Sequence, residues 1–257
     1  MSRIRMRQIC LVARRLEPVV EELRSVLGLE VCHRDPGVGK YGLENALFPV
    51  GDGFLEVVAP VRDGTTAGRY LDRRGGDGGY MVITQCDDLA PRRRRCEALG
   101  VRIANEIGHP EYRELQLHPR DVGAAMLSFG WQEGAREPGG PWHPAGAALG
   151  SIPRPGVSPS AAPPTATAAP RMALGMIAAE LQSEDPDRLA RRWSEVIERP
   201  VRMLDGQRVI ALDDATLRFT EATDGRGEGL AGLDLACADP ARRGLALICG
   251  IRFRLVS

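Results

Sequence analysis

Lysine is almost absent from this chain. Lys40 is the only one among 34 basic residues, so positive charge is carried by arginine. Arginine grips carboxylates and phosphates with a rigid fork that lysine lacks, but a bias this general reflects genome composition more than function. Net charge is absent too: 34 basic residues face 34 acidic ones, which removes the electrostatic case for nucleic acid or an acidic membrane as partner. No apolar run is long enough for a signal segment or a membrane span, and the basic start Met1–Arg7 leads straight into a strand. The expectation is a cytoplasmic protein. Cysteines 10, 32, 86, 96, 237 and 249 form no Cys-x-x-Cys pair. Falling in expected strands or on a helix face, they are read as buried, reduced thiols. What is present is ordinary globular material: 257 residues, 43% hydrophobic, enough for two domains with cores of their own.

The first 130 residues hold a pattern that occurs twice. An apolar strand, Met6–Ala13, runs into a helix over Leu16–Gly28; its counterpart, Tyr80–Cys86, runs into a helix over Asp88–Gly100. Both helices end in Leu-Gly, and both are followed by short strands, Leu29–His33 and Val101–Ala104. The first copy continues with strands Tyr41–Val50 and Phe54–Ala59 around the hairpin signal Asp52-Gly53. The second closes with Glu114–Leu117 and Ala124–Phe129. Val19, Val20, Leu23, Val26 and Leu27 give the first helix an apolar face. In the second helix Leu89, Cys96 and Leu99 are the expected buried residues, which leaves the run Arg92–Arg95 mostly solvated. Arg62–Gly79, polar and rich in Gly and Arg, is read as the connection between copies. A repeat of this size means two units packed together to bury faces that neither covers alone, with a cleft between them for a ligand.

From about Gly130 to Pro170 the composition turns to Pro, Ala, Gly, Ser and Thr, a linker without a core of its own. Trp131 and Trp142 would pin its first part to the preceding domain. A third strand–helix unit follows: strand Met176–Leu181, a helix start at Ser183-Glu184-Asp185-Pro186, and a buried face of Leu189, Trp193, Val196 and Ile197. Strands at Arg208–Leu212 and Thr216–Ala222 complete it. Gly229–Cys237 and Leu245–Val256 look like a fourth unit, but the segment between them is too short for a helix, so this last module is degenerate. The expected division is 1–130 (modules 1–62 and 78–130), linker 131–171, and a second domain 172–257. Asp224–Gly229 is glycine-rich but no helix follows it, so it is a turn rather than a phosphate loop.

Several residues stand out by type and place. Glu56 sits in an apolar strand between Leu55 and Val57. Facing a cleft, its pKa would rise by desolvation and it would serve as a general base beside a carbonyl; the plainer reading is an ion pair with an arginine or a hydrogen bond to Gln8. Asn45 would orient a ligand carbonyl or satisfy a strand edge. Tyr80, after Gly78-Gly79, would place a phenol at the cleft or pack at a seam. His118 and Arg120 would recognise an anion or thioester at the cleft mouth, or simply stabilise a turn. His33, His109 and His143 show no spacing that suggests a site.

Strand–helix–three-strand units in pairs resemble the vicinal oxygen chelate superfamily, which includes glyoxalase I, methylmalonyl-CoA epimerase, extradiol dioxygenases and bleomycin-binding resistance proteins. The resemblance rests on Gln8–Ala13, where the family usually has a His-led strand, on Phe54–Pro60, on Met81–Leu89, and on the epimerase-like loop His118-Pro119-Arg120-Asp121-Val122-Gly123. It covers residues 5–130 well and 172–257 loosely. It implies an α+β fold of paired βαβββ modules forming half-barrel sheets, in two tandem domains. It also implies four ligand positions for one divalent metal (Zn, Mn, Co or Ni), which fall here on Gln8, Glu56, Met81 and Ser128. Met81 and Ser128 are poor donors for such an ion, so a metal-free site is expected. In the second domain Ala178 stands at the first position. Two functions follow as expectations: a protein that binds a small apolar or carbonyl-bearing metabolite, or an isomerase, epimerase or lyase with Glu56 as base or metal ligand. Either way the partner is a small molecule, and the protein is a monomer or homodimer.

Overall fold

Alternation along the strands decides which side chains go where. In the first strand, β1 (Ile4–Val12), Ile9 and Leu11 turn to one face and Gln8, Cys10 and Val12 to the other. The computed structural model describes residues 2–136, 140–147, 173–237, 239, 241 and 243–256. The prolines 153–170 of the expected linker lie outside the described residues.

β1 leads through helix α1 (Leu16–Leu27) to β2 (Leu43–Val50) and β3 (Gly53–Pro60). Helix α2 (Thr66–Arg74) connects to the second copy: β4 (Gly78–Cys86), α3 (Leu89–Ala98), β5 (Ile103–Gly108), β6 (Tyr112–Leu117), the single turn α4 (Pro119–Val122) and β7 (Met126–Gln132). These strands form one half-barrel sheet in the order β2-β3-β1-β4-β7-β6-β5. The β1–β3 and β4–β7 pairs are parallel and β1–β4 is antiparallel. This is the arrangement that pairs two copies of one unit. A small hairpin follows, β8 (Pro141–Trp142) and β9 (Gly146–Ala147). The second sheet contains β10 (Ala173–Ser183), helix α5 (Pro186–Ile197), β11 (Val201–Leu204), β12 (Gln207–Ala211), β13 (Thr216–Glu221), β14 (Gly229–Cys237), β15 (Gly244–Ile248) and β16 (Ile251–Val256). Its order is β11-β12-β13-β10-β14-β16-β15, the same plan with no α-helix among the described residues between β14 and β15.

Gly28 and Gly100 both take φ of 64°, the left-handed region that glycine reaches without penalty, and this is why both helices stop at Leu-Gly. Four expectations need correction. Leu29–His33 is reduced to a single bridge, His33 to Leu47, because Asp35 and Pro36 turn the chain into a 3-10 turn over Pro36–Tyr41. Arg62–Gly79 contains α2, capped by the Thr65 hydroxyl accepting from the Gly68 N–H. Val26 is exposed, and Leu16 takes its place on the buried face of α1. Arg92 is buried rather than solvated: it donates to the Ile197 carbonyl at 2.8 Å and to Ser2 Oγ, and lies over the Phe129 ring.

The helix-bearing faces of the two sheets share one apolar core, from Ile9, Val57 and Phe129 to Leu217, Phe219 and Phe253. Within it α1 lies against β2 and β3 of the first sheet and β15 of the second, while α5 meets α3 and α4. Arg74 and Arg226 lock the seam. Arg74 donates to the carbonyls of Arg226, Gly227 and Glu228, and Arg226 to those of Asp77 and Gly250. The turn Asp224–Gly229 is therefore a latch between the halves. No helix among the described residues is long and apolar enough to cross a membrane.

Candidate functional site

The opposite face of the first sheet lines a cavity of about 780 Å³, within the range of small-molecule sites. Alternation delivers its residues: Gln8 and Cys10 from β1, Asn45 from β2, Glu56 and Val58 from β3, Met81 and Ile83 from β4, and Tyr112, Glu114 and Gln116 from β6. Register places Cys10 beside Glu56 on one side and Met81 on the other. Its walls are apolar, with Val58, Ala67, Tyr80, Met81, Ile83 and Met126, while Asp35, Lys40, Arg62, His109 and His143 stand nearer the mouth.

On the floor Glu56 accepts from Gln8 Nε2 at 2.8 Å and from Asn45 Nδ2 at 2.6 Å. Neither amide is free to turn over. Gln8 Oε1 accepts from the Trp142 indole N–H at 2.9 Å, and Asn45 Oδ1 from the Asp35 backbone N–H at 2.7 Å. Those two groups only donate, so each amide must show its NH₂ to Glu56. Burial still raises the Glu56 pKa against the hydrogen bonds from Asn45 and Gln8 and the neighbouring Cys10 thiol, and the Glu114 charge adds to the rise. Burial, with Glu56 beside it, pushes the Cys10 thiol well up, so it is no nucleophile.

Glu114 is a second buried carboxylate on this face. It accepts from Ser128 Oγ and Tyr112 OH, each at 2.6 Å, and from Gln116 Nε2 at 3.2 Å. Burial and Glu114 together drive the Tyr112 phenol well above its usual pKa. Tyr80, edge-on to Tyr70 at 5.1 Å, is pushed up to about 12, chiefly by burial. The hairpin β8–β9 closes one side. Trp142 is fully buried, edge-on to Tyr112 at 5.2 Å, with Arg7 over its ring. His143 stacks on Tyr112 and on His109, and burial lowers its pKa.

The structure thus brings Gln8, Asn45, Glu56, Tyr80 and Met81 to one cavity. Ser128 is buried behind Glu114. His118 and Arg120 do not line it. His118 caps α4, accepting from the Arg120 N–H, and Asp121 in the same turn is held by Arg102 while its carbonyl accepts from Arg192 of α5. That turn is committed to the contact between halves. Sequence reasoning missed Glu114 and Tyr112, although the alternation Tyr112-x-Glu114-x-Gln116 places all three on one face. It also missed the contact of Trp142 with Gln8, 134 positions apart, for which no local signal exists.

The four expected ligand positions do not suit a divalent ion. The Gln8 oxygen is taken by Trp142, Met81 offers a soft thioether, and Ser128 commits its hydroxyl to Glu114. Only Glu56 presents a hard anionic donor there, and among the described residues no three His, Cys, Asp or Glu side chains are grouped to hold a metal.

On the matching face of the second sheet, Glu180 is paired with Arg218, Arg252 and Arg254, and Asp234 with Arg218 and Arg254. Ala178 contributes no donor.

Two curled sheets of repeated units, one with a polar-floored cavity, define a glyoxalase-like protein of the vicinal oxygen chelate superfamily. A family model described as a glyoxalase-like domain matches residues 9–197, and the chain belongs to that family. No curated protein matches the chain. Among solved structures, a hypothetical protein from Staphylococcus aureus is similar over 98% of this chain and 98% of its own, at 10% identity and a TM-score of 0.66. A methylmalonyl-CoA epimerase in complex with methylmalonyl-CoA and NH4+ is similar over 53% of this chain and 100% of its own, at 23% identity and a TM-score of 0.47. A substituted form of the Streptomyces coelicolor methylmalonyl-CoA epimerase, in complex with 2-nitronate-propionyl-CoA, is similar over 50% of this chain and 97% of its own, at 21% identity and a TM-score of 0.45.

Proposed function

We propose that the first-sheet cavity binds a small organic metabolite, apolar along its body and polar at one end, without a metal ion. The observation that carries this is the floor: Glu56, buried at the bottom of a cavity of about 780 Å³, is already held by two amides that cannot turn. The sequence-derived metal positions supply one hard donor where an ion needs several. A second reading has its own support. A buried carboxylate with a raised pKa, open to a cavity, is suited to take a proton next to a carbonyl, which would make the protein an isomerase, epimerase or lyase with Glu56 as base.

Mass spectrometry of metal content tests the first reading, on untagged protein incubated with Mn, Co, Ni and Zn beside Glu56→Ala. The expected result is no stoichiometric metal in either. One equivalent that disappears in the variant would overturn it. Met126→Trp, which fills the cavity, is expected to abolish the thermal shifts that small-molecule ligands give the native protein. The second reading falls if Glu56→Gln exchanges the acidic hydrogen of a bound carbonyl ligand as fast as the native protein does.

A further inference from the structure

The floor of the cavity lacks a countercharge. Glu56 and Glu114 are each less than a tenth exposed, and both line the cavity. The side chains that hydrogen-bond them are all neutral: two amides for Glu56, and a phenol, a hydroxyl and an amide for Glu114. Among the described residues neither forms an ion pair. Lys40 and Arg62 line the same cavity but are exposed toward its mouth.

The second sheet supplies an internal comparison. Its buried acids on the matching face, Glu180 and Asp234, are neutralised by three arginines of their own sheet. In an arginine-rich chain, the first sheet keeps two buried acids and places no arginine between them. Buried charge is retained where something pairs with it. Hydrogen-bond capacity points the same way. A carboxylate has about four acceptor sites; Glu56 takes two side-chain donors and Glu114 three, leaving room on both for one more.

We infer that the ligand carries a cationic nitrogen, a protonated amine or an amidinium, that lodges between Glu56 and Glu114 with its apolar body against Met81, Ile83 and Met126. This rests on the reading of the cavity as a small-molecule site and adds the charge of the head group. The Glu114 charge makes ionisation of Glu56 costlier, and a ligand cation between the two removes that cost. The side chains that hold the two acids all donate to them, so a carbonyl or carboxylate head group lodged between the acids would meet acceptors there.

Three probes of one shape separate the possibilities: benzylammonium, benzyl alcohol and phenylacetate, each titrated into the full chain by calorimetry. Benzylammonium is expected to bind at least about tenfold more tightly than the other two. That preference should vanish in Glu114→Gln and in Glu56→Gln, and all binding in Met126→Trp. Equal or tighter binding of the alcohol or the acid, lost in Met126→Trp, would overturn the cationic head group and leave the cavity reading standing. Ammonium binding that survives Met126→Trp is surface binding and overturns the inference, and binding by none of the three overturns it together with the cavity reading. The comparison of probes on the native chain stands even if a variant fails to fold.

Discussion

At the scale of the residue, Glu56 shows how a side chain can be well satisfied and still costly. Its oxygens are bonded, yet its pKa is raised from the ordinary glutamate value because burial outweighs those bonds. The sign of the consequence follows. Unfolded, Glu56 loses its proton near the usual glutamate value; folded, it holds the proton to higher pH, so stability falls as pH rises between the two. In denaturant titrations Glu56 should contribute a loss of stability over that interval. Glu56→Gln should flatten the decline, and a decline unchanged in the variant would show that the cost lies elsewhere. Asp121 has the opposite character: Arg102 holds its carboxyl far below the usual range from an open turn.

At the scale of the element, the hairpin β8–β9 forms one side of the site and the strand face forms the rest. Gly130 in β7 is what lets the hairpin close. A Cβ there would stand 2.6 Å from the Trp142 ring, so Gly130→Ala should push the indole off Gln8. The expected cost is about 1–3 kcal/mol in a denaturant midpoint, with weakened binding in the cavity besides. Much at this scale was legible in the sequence. The α1 and α5 faces follow helical spacing, the Asp52-Gly53 hairpin joins β2 to β3, and the residues Leu189, Trp193, Val196 and Ile197 are all buried. Helix α2 was not legible, because Thr66–Arg74 buries little more than Ala67 and Leu71 and is otherwise polar. His118 and Arg120 carry a motif whose chemistry suggested binding, but tertiary contact with α5 decided its use. Trp142 reached the site across the sheet, by a route that only folding reveals.

At the scale of the whole molecule, the two sheets share a core and a latch. Arg226 donates to carbonyls on both sides of the seam, at Asp77 and Gly250. Arg226→Ala should lower stability by about 2–3 kcal/mol, as hydrogen bonds from a charged donor are lost. It should do so in one transition, with fluorescence and circular dichroism falling together; two separated transitions would mean halves that unfold independently. The fourth unit has no α-helix of its own among the described residues, and α1 of the first unit lies against β15. One copy of the repeat has come to borrow a helix from another, and that loan is hard to reverse. A unit in this position cannot be excised or swapped alone without uncovering the part of β15 that α1 lies against.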